Sequence, residues 1–452
     1  MTAPKREFGG AIPASLALVG SFAALGLNSL AISRIEGPDG AGLIALAMQF
    51  IFLGTFVAGG GLRTSLTYRV GARSWSPRSA IRGALIAAAS LGAVGAVVGM
   101  GLYELLRDNA LSDFNLAMAG SLMAALPFAL VWWIVPAVPL ARERYEAYAL
   151  LTVSAPIFVL LLCPALALVA GKTGAVIGLA GGWVLGGMAV GAWGLRDARR
   201  PEAAGGPEHS VREAGGFGMR AWVNDLFQLI NLRPDLFILS AYHGAADTGV
   251  YAVTVSITSL VWIVSQPLAS VVLPRNAMVT AGSDPGLSPV IPKSGQGAAV
   301  RHAVLISAAA TLAVIPLLVV APFVWGSGFG RITELGLIML PGVALLGVGR
   351  VMVAAFSGRG AANDALLVGL VSFPLTVIAY FLVIPDHGST GAAIVSCCSY
   401  AAAALLAAFL FVREPGTSLR DALVPRAEDI GDYISLARRG RDAVSRGPRR
   451  AS

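Results

Sequence analysis

The chain has 452 residues, of which 56% are hydrophobic and only 13% charged, and its mean hydropathy is +0.74. That balance excludes a soluble domain: apolar runs of about 20 residues recur along the chain, as a polytopic all-α membrane protein requires. The formal net charge of +8 invites a nucleic-acid reading, and its placement in short alternate loops excludes one.

Lys5 and Arg6 precede an apolar run from Ile12 to Ile32, which reads as an uncleaved first helix rather than a signal peptide. A tight polar turn from Arg34 to Gly42 leads into a second helix, Leu43 to Tyr68, with Arg63 in its last third. Arg69, Arg73, Arg78 and Arg82 form a basic loop before the third helix, Gly83 to Leu105. The fourth runs from Leu116 to Leu140 and is bent by Pro127, Pro136 and Pro139. The fifth spans Tyr148 to Ala170 and the sixth Thr173 to Leu195. Residues 196–216 are the most hydrophilic internal stretch and read as a cytoplasmic linker.

The seventh helix, Met219 to Tyr242, is long enough to cross a bilayer yet carries Asn224, Asp225, Gln228, Asn231, Arg233 and Asp235. Asn224, Gln228, Asn231 and Asp235 fall on one helical face. Such a stripe costs several kcal/mol, on the order of one unsatisfied group each, if it faces lipid. It is therefore expected to face other helices or a watery cavity. Pro234 predicts a kink. The eighth helix, Val250 to Leu273, ends at Pro274, and a Gly/Pro/Ser-rich loop with Arg275, Lys293 and Arg301 follows. Helices nine to twelve cover Ala303 to Trp325, Leu335 to Phe356, Leu366 to Ile384 and Gly391 to Val412. A basic tail, 413–452, closes the chain, with room for a short membrane-surface helix around Ile430 to Arg439.

The basic segments are the N-terminus, every second connection and the tail. Short basic loops stay cytoplasmic, so both termini are expected inside the inner (plasma) membrane, with anionic lipid as their neighbour. Two pairs of turns repeat across the linker. Gly37-Pro-Asp-Gly-Ala-Gly42 matches Gly244-Ala-Ala-Asp-Thr-Gly249, and Gly171-Lys-Thr-Gly174 matches Gly388-Ser-Thr-Gly391. They precede helices two and eight, and six and twelve. That predicts two six-helix lobes, residues 1–195 and 217–412, in a parallel repeat with a substrate site between them.

These residues carry a resemblance. Arg34-x-x-Gly37-Pro38-x-x-x-Gly42, Arg233-x-Asp235, Gly244-x-x-x-x-Gly249-x-Tyr251-Ala252 and Ile384-Pro385-x-x-Gly388-x-x-Gly391-Ala392-Ala393 together resemble the Wzx-type polysaccharide flippases of the MATE-like flippase superfamily. The resemblance spans about Ile12 to Val412. It implies two lobes around a cavity that opens to each side in turn. It implies transfer of an undecaprenyl-pyrophosphate-linked oligosaccharide to the outer leaflet, with a polysaccharide polymerase and glycosyltransferases as working partners. Glu36 departs from the apolar residue expected beside that turn.

A flippase needs a wet groove with cations for a pyrophosphate and amides for sugars. Arg63, Arg233 and Arg350 are the intramembrane cations, with Arg34 at the first turn. Asn28, Gln49, Asn224, Gln228 and Asn231 are the amides, and Asp225 and Asp235 are the candidates to carry a coupling proton or sodium ion. An acid-driven alternative is a cation-coupled multidrug efflux pump on the same architecture. A second alternative, an enzyme acting on lipid-linked sugars, needs a large outward loop, and the outward loops are short.

No nucleophile triad, metal cluster, nucleotide site or other cofactor pattern appears. Ala170-Gly-Lys-Thr173 lacks the first glycine of a phosphate loop. Cys163, Cys397 and Cys398 read as packing residues. Gly95-x-x-x-Gly99, Gly178-x-x-x-Gly182 and Gly187-x-x-x-Gly191 read as close-packing motifs. Trp132, Trp133, Trp183, Trp193 and Trp262 read as packing or interface residues.

Overall fold

The computed structural model describes residues 4–59, 61–71, 73–201, 233–264, 293–358, 362–413, 418–424 and 426. All regular structure among them is helical. The elements are α1 (Pro4–Gly59), α2 (Leu62–Gly71), α3 (Pro77–Leu106), α4 (Leu116–Ile134), α5 (Ala137–Ala141), α6 (Tyr145–Ala198), α7 (Pro234–Thr258), α8 (Leu260–Ile263), α9 (Lys293–Trp325), α10 (Ile332–Gly358), α11 (Ala362–Val412) and α12 (Leu419–Leu423).

Eight stretches among the described residues are long and apolar enough to cross a membrane. Several are too long for one crossing: the 54 residues of Tyr145–Ala198 would extend about 80 Å as one helix, against a hydrocarbon core of roughly 30 Å. A glycine divides each of the three longest helices, α1, α6 and α11, and a fourth divides α7. Gly37, Gly171, Gly244 and Gly388 have φ of 68°, 59°, 76° and 54° with extended ψ, a backbone state that L-residues avoid. Each therefore splits a continuous segment into two arms. These are the four glycines that open the repeated turns, and both pairs share one backbone conformation.

Small residues decide how closely the arms pack. In α6, Gly174, Gly178, Gly182 and Gly186 meet the backbones of Leu166, Leu162 to Cys163, Val159 and Ala155 in turn, so the arms run antiparallel with no room for a methyl group between them. Gly187 packs the same arm on Phe128 of α4. Gly92, Gly95 and Gly99 of α3 pack on Pro127, Leu126 and Met123 of α4. The glycine motifs are packing devices, as expected.

The chain forms two compact units. The first is Met1–Ser256 with Val320–Leu335 and Val377–Ala392; the second is Ile257–Val319, Gly336–Thr376 and Ala393–Ser452. In the second unit, Val300, Val351, Met352, Ala407 and Phe411 join one apolar core. Gly342 and Gly349 of α10 press on Cys397 and Ala404 of α11. Cys163 is buried, Cys398 is exposed, and all three cysteines are free thiols.

Several expected boundaries move. The second helix breaks near Gly61, whose φ is 71°, so Arg63 lies on the short helix α2. The fourth breaks before Pro136, which precedes α5 because it cannot supply a backbone donor. Lys293 and Arg301, expected in a loop, belong to α9, and Arg301 is buried. The first arm of α1 continues past Ile32, so Arg34 stands on its last turn.

Candidate functional site

Arg63 is the best-anchored of the expected intramembrane cations. Its guanidinium lies 4.1 Å over the Trp133 ring. Its Nη1 donates to the Trp133 carbonyl at 3.4 Å and its Nη2 to the Tyr148 hydroxyl at 3.2 Å. A stacked, doubly bonded guanidinium is pre-organised, and part of its donor fork remains for a further acceptor. In the second unit, Arg350 lies 4.1 Å over the Trp262 ring. Trp133 belongs to the fourth helix and Trp262 to the eighth. Each sequence half thus holds one stacked arginine, Arg63 of α2 on Trp133 of α4 in the first and Arg350 of α10 on Trp262 of α8 in the second. Trp133 and Trp262 therefore do more than pack.

Asp235 is 1% exposed and Tyr251 fully buried. The Tyr251 hydroxyl donates to Asp235 Oδ2 at 2.5 Å, and the Leu236 amide donates to Oδ1 at 3.0 Å. Pro234 begins α7 among the described residues, so Asp235 lies in the first turn, where a carboxylate suits the helix dipole. The bond joins the two arms of α7. Tyr251, quoted above only as part of a turn motif, is thus the partner of Asp235. Arg233 is half-buried just outside the helix. Asn224, Asp225, Gln228 and Asn231 lie outside the described residues.

Asn28 is 2% exposed, and its Oδ1 has no partner among the described residues. Thr55 Oγ1 and Trp183 Nε1 are also buried without a partner. Gln49 is buried on the second arm of α1. An orphaned buried polar atom costs about 1–3 kcal/mol, so these atoms call for water or a polar ligand.

Other charged groups pair near the turns and helix ends. Arg34 donates from Nε to the Val324 carbonyl at 2.6 Å and from Nη2 to the Phe323 carbonyl at 2.9 Å. It thereby caps the last turn of α9. Asp247 accepts from Ser389 N at 2.9 Å and Ser389 Oγ at 2.8 Å, and from Arg331 at 3.1 Å; Arg331 also reaches Thr390 at 2.7 Å. Lys172–Asp39 at 3.3 Å and Asn115–Thr173 at 3.0 Å are the matching ties in the first half. At the opposite end of α6, buried Asp197 holds Arg144 at 2.6 Å and Arg142 at 3.2 Å. Asp197 escaped the sequence reading because it sits in an arginine-rich run that looks like solvated linker. No group of three metal-ligating side chains occurs among the described residues.

Comparison of the sequence with family models finds no match, and comparison with curated proteins finds none. Solved structures do match the fold. An inward-facing multidrug resistance MATE family transporter of the MOP superfamily superposes with TM-score 0.68 at 15% identity, covering 89% of this chain and 97% of that one. Lipid II flippase MurJ, in an inward closed conformation, gives 0.68 at 12% identity over 91% of this chain and 89% of that one. A MOP superfamily transporter from Pyrococcus furiosus, described as having a binding pocket of reverse polarity, gives 0.58 at 15% identity over 89% and 93%. With its long apolar helices and this likeness, the chain is an all-α, multi-pass membrane protein of MATE-like fold.

Proposed function

We propose that the protein flips a polyprenyl-pyrophosphate-linked oligosaccharide from the inner to the outer leaflet of the plasma membrane, for surface polysaccharide biosynthesis. The observation that carries this reading is Arg63, held on Trp133 and Tyr148 with donors to spare. A pyrophosphate is the natural ligand of a pre-organised guanidinium in a poorly solvated place. Arg350 on Trp262 supplies a second such cation, and buried Asn28 and Gln49 supply amides suited to sugar hydroxyls. The fold likeness to a lipid II flippase fits the same cargo class.

Arg233, Asn224, Gln228 and Asn231 complete the proposed groove. The two-lobe division at residues 196–216, cytoplasmic termini and a neighbouring polymerase belong to the same proposal. A second reading, cation-coupled efflux, is favoured by buried Asp235 and by the likeness to a multidrug transporter.

The test uses a strain lacking the protein. Polyprenyl-linked oligosaccharide accumulating on the cytoplasmic leaflet, with normal cationic-dye efflux, supports the flippase. Unchanged lipid-linked sugar with increased dye retention overturns it in favour of efflux.

A further inference from the structure

The first sequence half meets the second at one end of the first unit through a buried bond from Ser240 Oγ to the Ala110 carbonyl at 3.0 Å and through three contacts of the repeated turns. Gly42 and Gly249 cross face to face: a Cβ on Gly42 would overlap the Ala245 carbonyl and lie 3.0 Å from the Gly249 nitrogen, and a Cβ on Gly249 would overlap the Pro38 carbonyl. Pro38 also fills the space beside Gly328, whose Cβ would come within 3.0 Å of the proline Cδ. Arg34 closes the set by donating to the Phe323 and Val324 carbonyls. These three are helix-end contacts made by the turns of the repeat. They lie away from the arginine-rich ends around Arg142, Arg144 and Asp197.

Apart from the buried bond from Ser240 to Ala110, the other polar ties at this end among the described residues stay within a half. Asp39–Lys172 and Asn115–Thr173 join turns of the first half, and Asp247, Ser389, Arg331 and Thr390 join turns of the second. Among the described residues each half is tied mainly to itself, while the repeated turns of the two halves meet through two glycines, one proline and one arginine. The carbonyls taken by Arg34 are the negative end of α9, and their last-turn oxygens have no intrahelical donor. A guanidinium there is bound by charge and geometry, and both carbonyls can return to water when it leaves. Arg34 is itself exposed, so its removal leaves no cavity.

We propose that Arg34 is a latch on the C-terminus of α9 that holds this end closed, with the Gly42–Gly249 crossing as the seat on which it closes. This assigns to Arg34 a conformational role in place of contact with cargo. The device serves any cargo, and its test does not depend on the flippase reading.

The test takes the full chain in proteoliposomes, with Cys163, Cys397 and Cys398 replaced by alanine and one reporter, Thr248→Cys. Thr248 is fully buried beside the crossing, so the closed form protects a thiol there from a maleimide. Arg34→Ala and Gly42→Val should each raise the labelling rate at least about tenfold, the change expected from losing roughly one charge-assisted contact or one close seat. Arg34→Lys, which keeps the charge but lacks the two-pronged fork, should fall between. Asp39→Ala cuts a tie of the same turn within one half and should leave the rate unchanged. Wild-type labelling in both Arg34→Ala and Gly42→Val overturns the latch. So does equal acceleration by Asp39→Ala, because the effect would then be general loosening.

Discussion

Gly42 and Gly249 occupy matching positions in a repeated turn, and each stands where a methyl group would enter the other turn's backbone. The two copies of the motif do not merely look alike; they touch each other. Because the obstructing atoms are carbonyls rather than side-chain tips, they cannot yield cheaply. We expect Gly249→Ala to weaken this crossing by about 1–3 kcal/mol, the usual scale of overpacking. Export in cells should fall while the protein remains in the membrane, and a thermal-stability measurement in detergent should show a lower midpoint.

Arg63 is expected to be needed for transport. Arg63→Ala should cut export at least about tenfold at matched protein level, since it removes a stacked and doubly bonded cation. Arg63→Lys should recover only part, because an ammonium cannot stack on Trp133 and bond two acceptors in the same plane. Tyr148→Phe removes one of the two acceptors and should cost about 0.5–1.5 kcal/mol, a few-fold loss of export. Full export by Arg63→Ala would remove Arg63 from the site.

Asp235 and Tyr251 should behave as one unit. Each single change, Asp235→Ala or Tyr251→Phe, strips a buried group of its partner. The double mutant should cost less than the sum of the singles, with a coupling of about 1 kcal/mol or more in a stability cycle. Additive effects would show that the bond joining the arms of α7 contributes little.

Arg233→Ala should reduce transport with the protein still inserted, because Arg233 flanks Asp235 without forming part of the packed core. The measurement is export at matched protein level, and wild-type export would exclude Arg233 from the groove.

Two ion pairs at opposite ends should differ in weight. Asp197 is 2% exposed and serves Arg142 and Arg144, whose side chains are 21% and 31% exposed. Asp39 and Lys172 are 51% and 42% exposed. Asp197→Ala is expected to destabilise by about 1–3 kcal/mol after discounting for the solvent around the arginines. Asp39→Ala should change stability by less than about 1 kcal/mol, and less still in high salt. Melting both variants at low and high salt checks the contrast.

Composition and periodicity alone determined that this chain spans a membrane many times as helices, because the bilayer forces every backbone polar group into local hydrogen bonds. The repeated glycines marked the turns, since few residues other than glycine accept a positive φ with extended ψ, and four such glycines recur at 37, 171, 244 and 388. The expected intramembrane cations and amides were legible as polar letters in apolar runs. Their partners were not. Tyr148 for Arg63, Tyr251 for Asp235 and the α9 carbonyls for Arg34 lie 85, 16 and up to 290 residues away. No local periodicity encodes such distances. Only tertiary packing decided that Asp235 serves a tyrosine, that Asp197 is buried rather than solvated, and that the two repeated turns lie against each other, because side-chain partnership follows from which helices approach closely and glycine contacts set that approach.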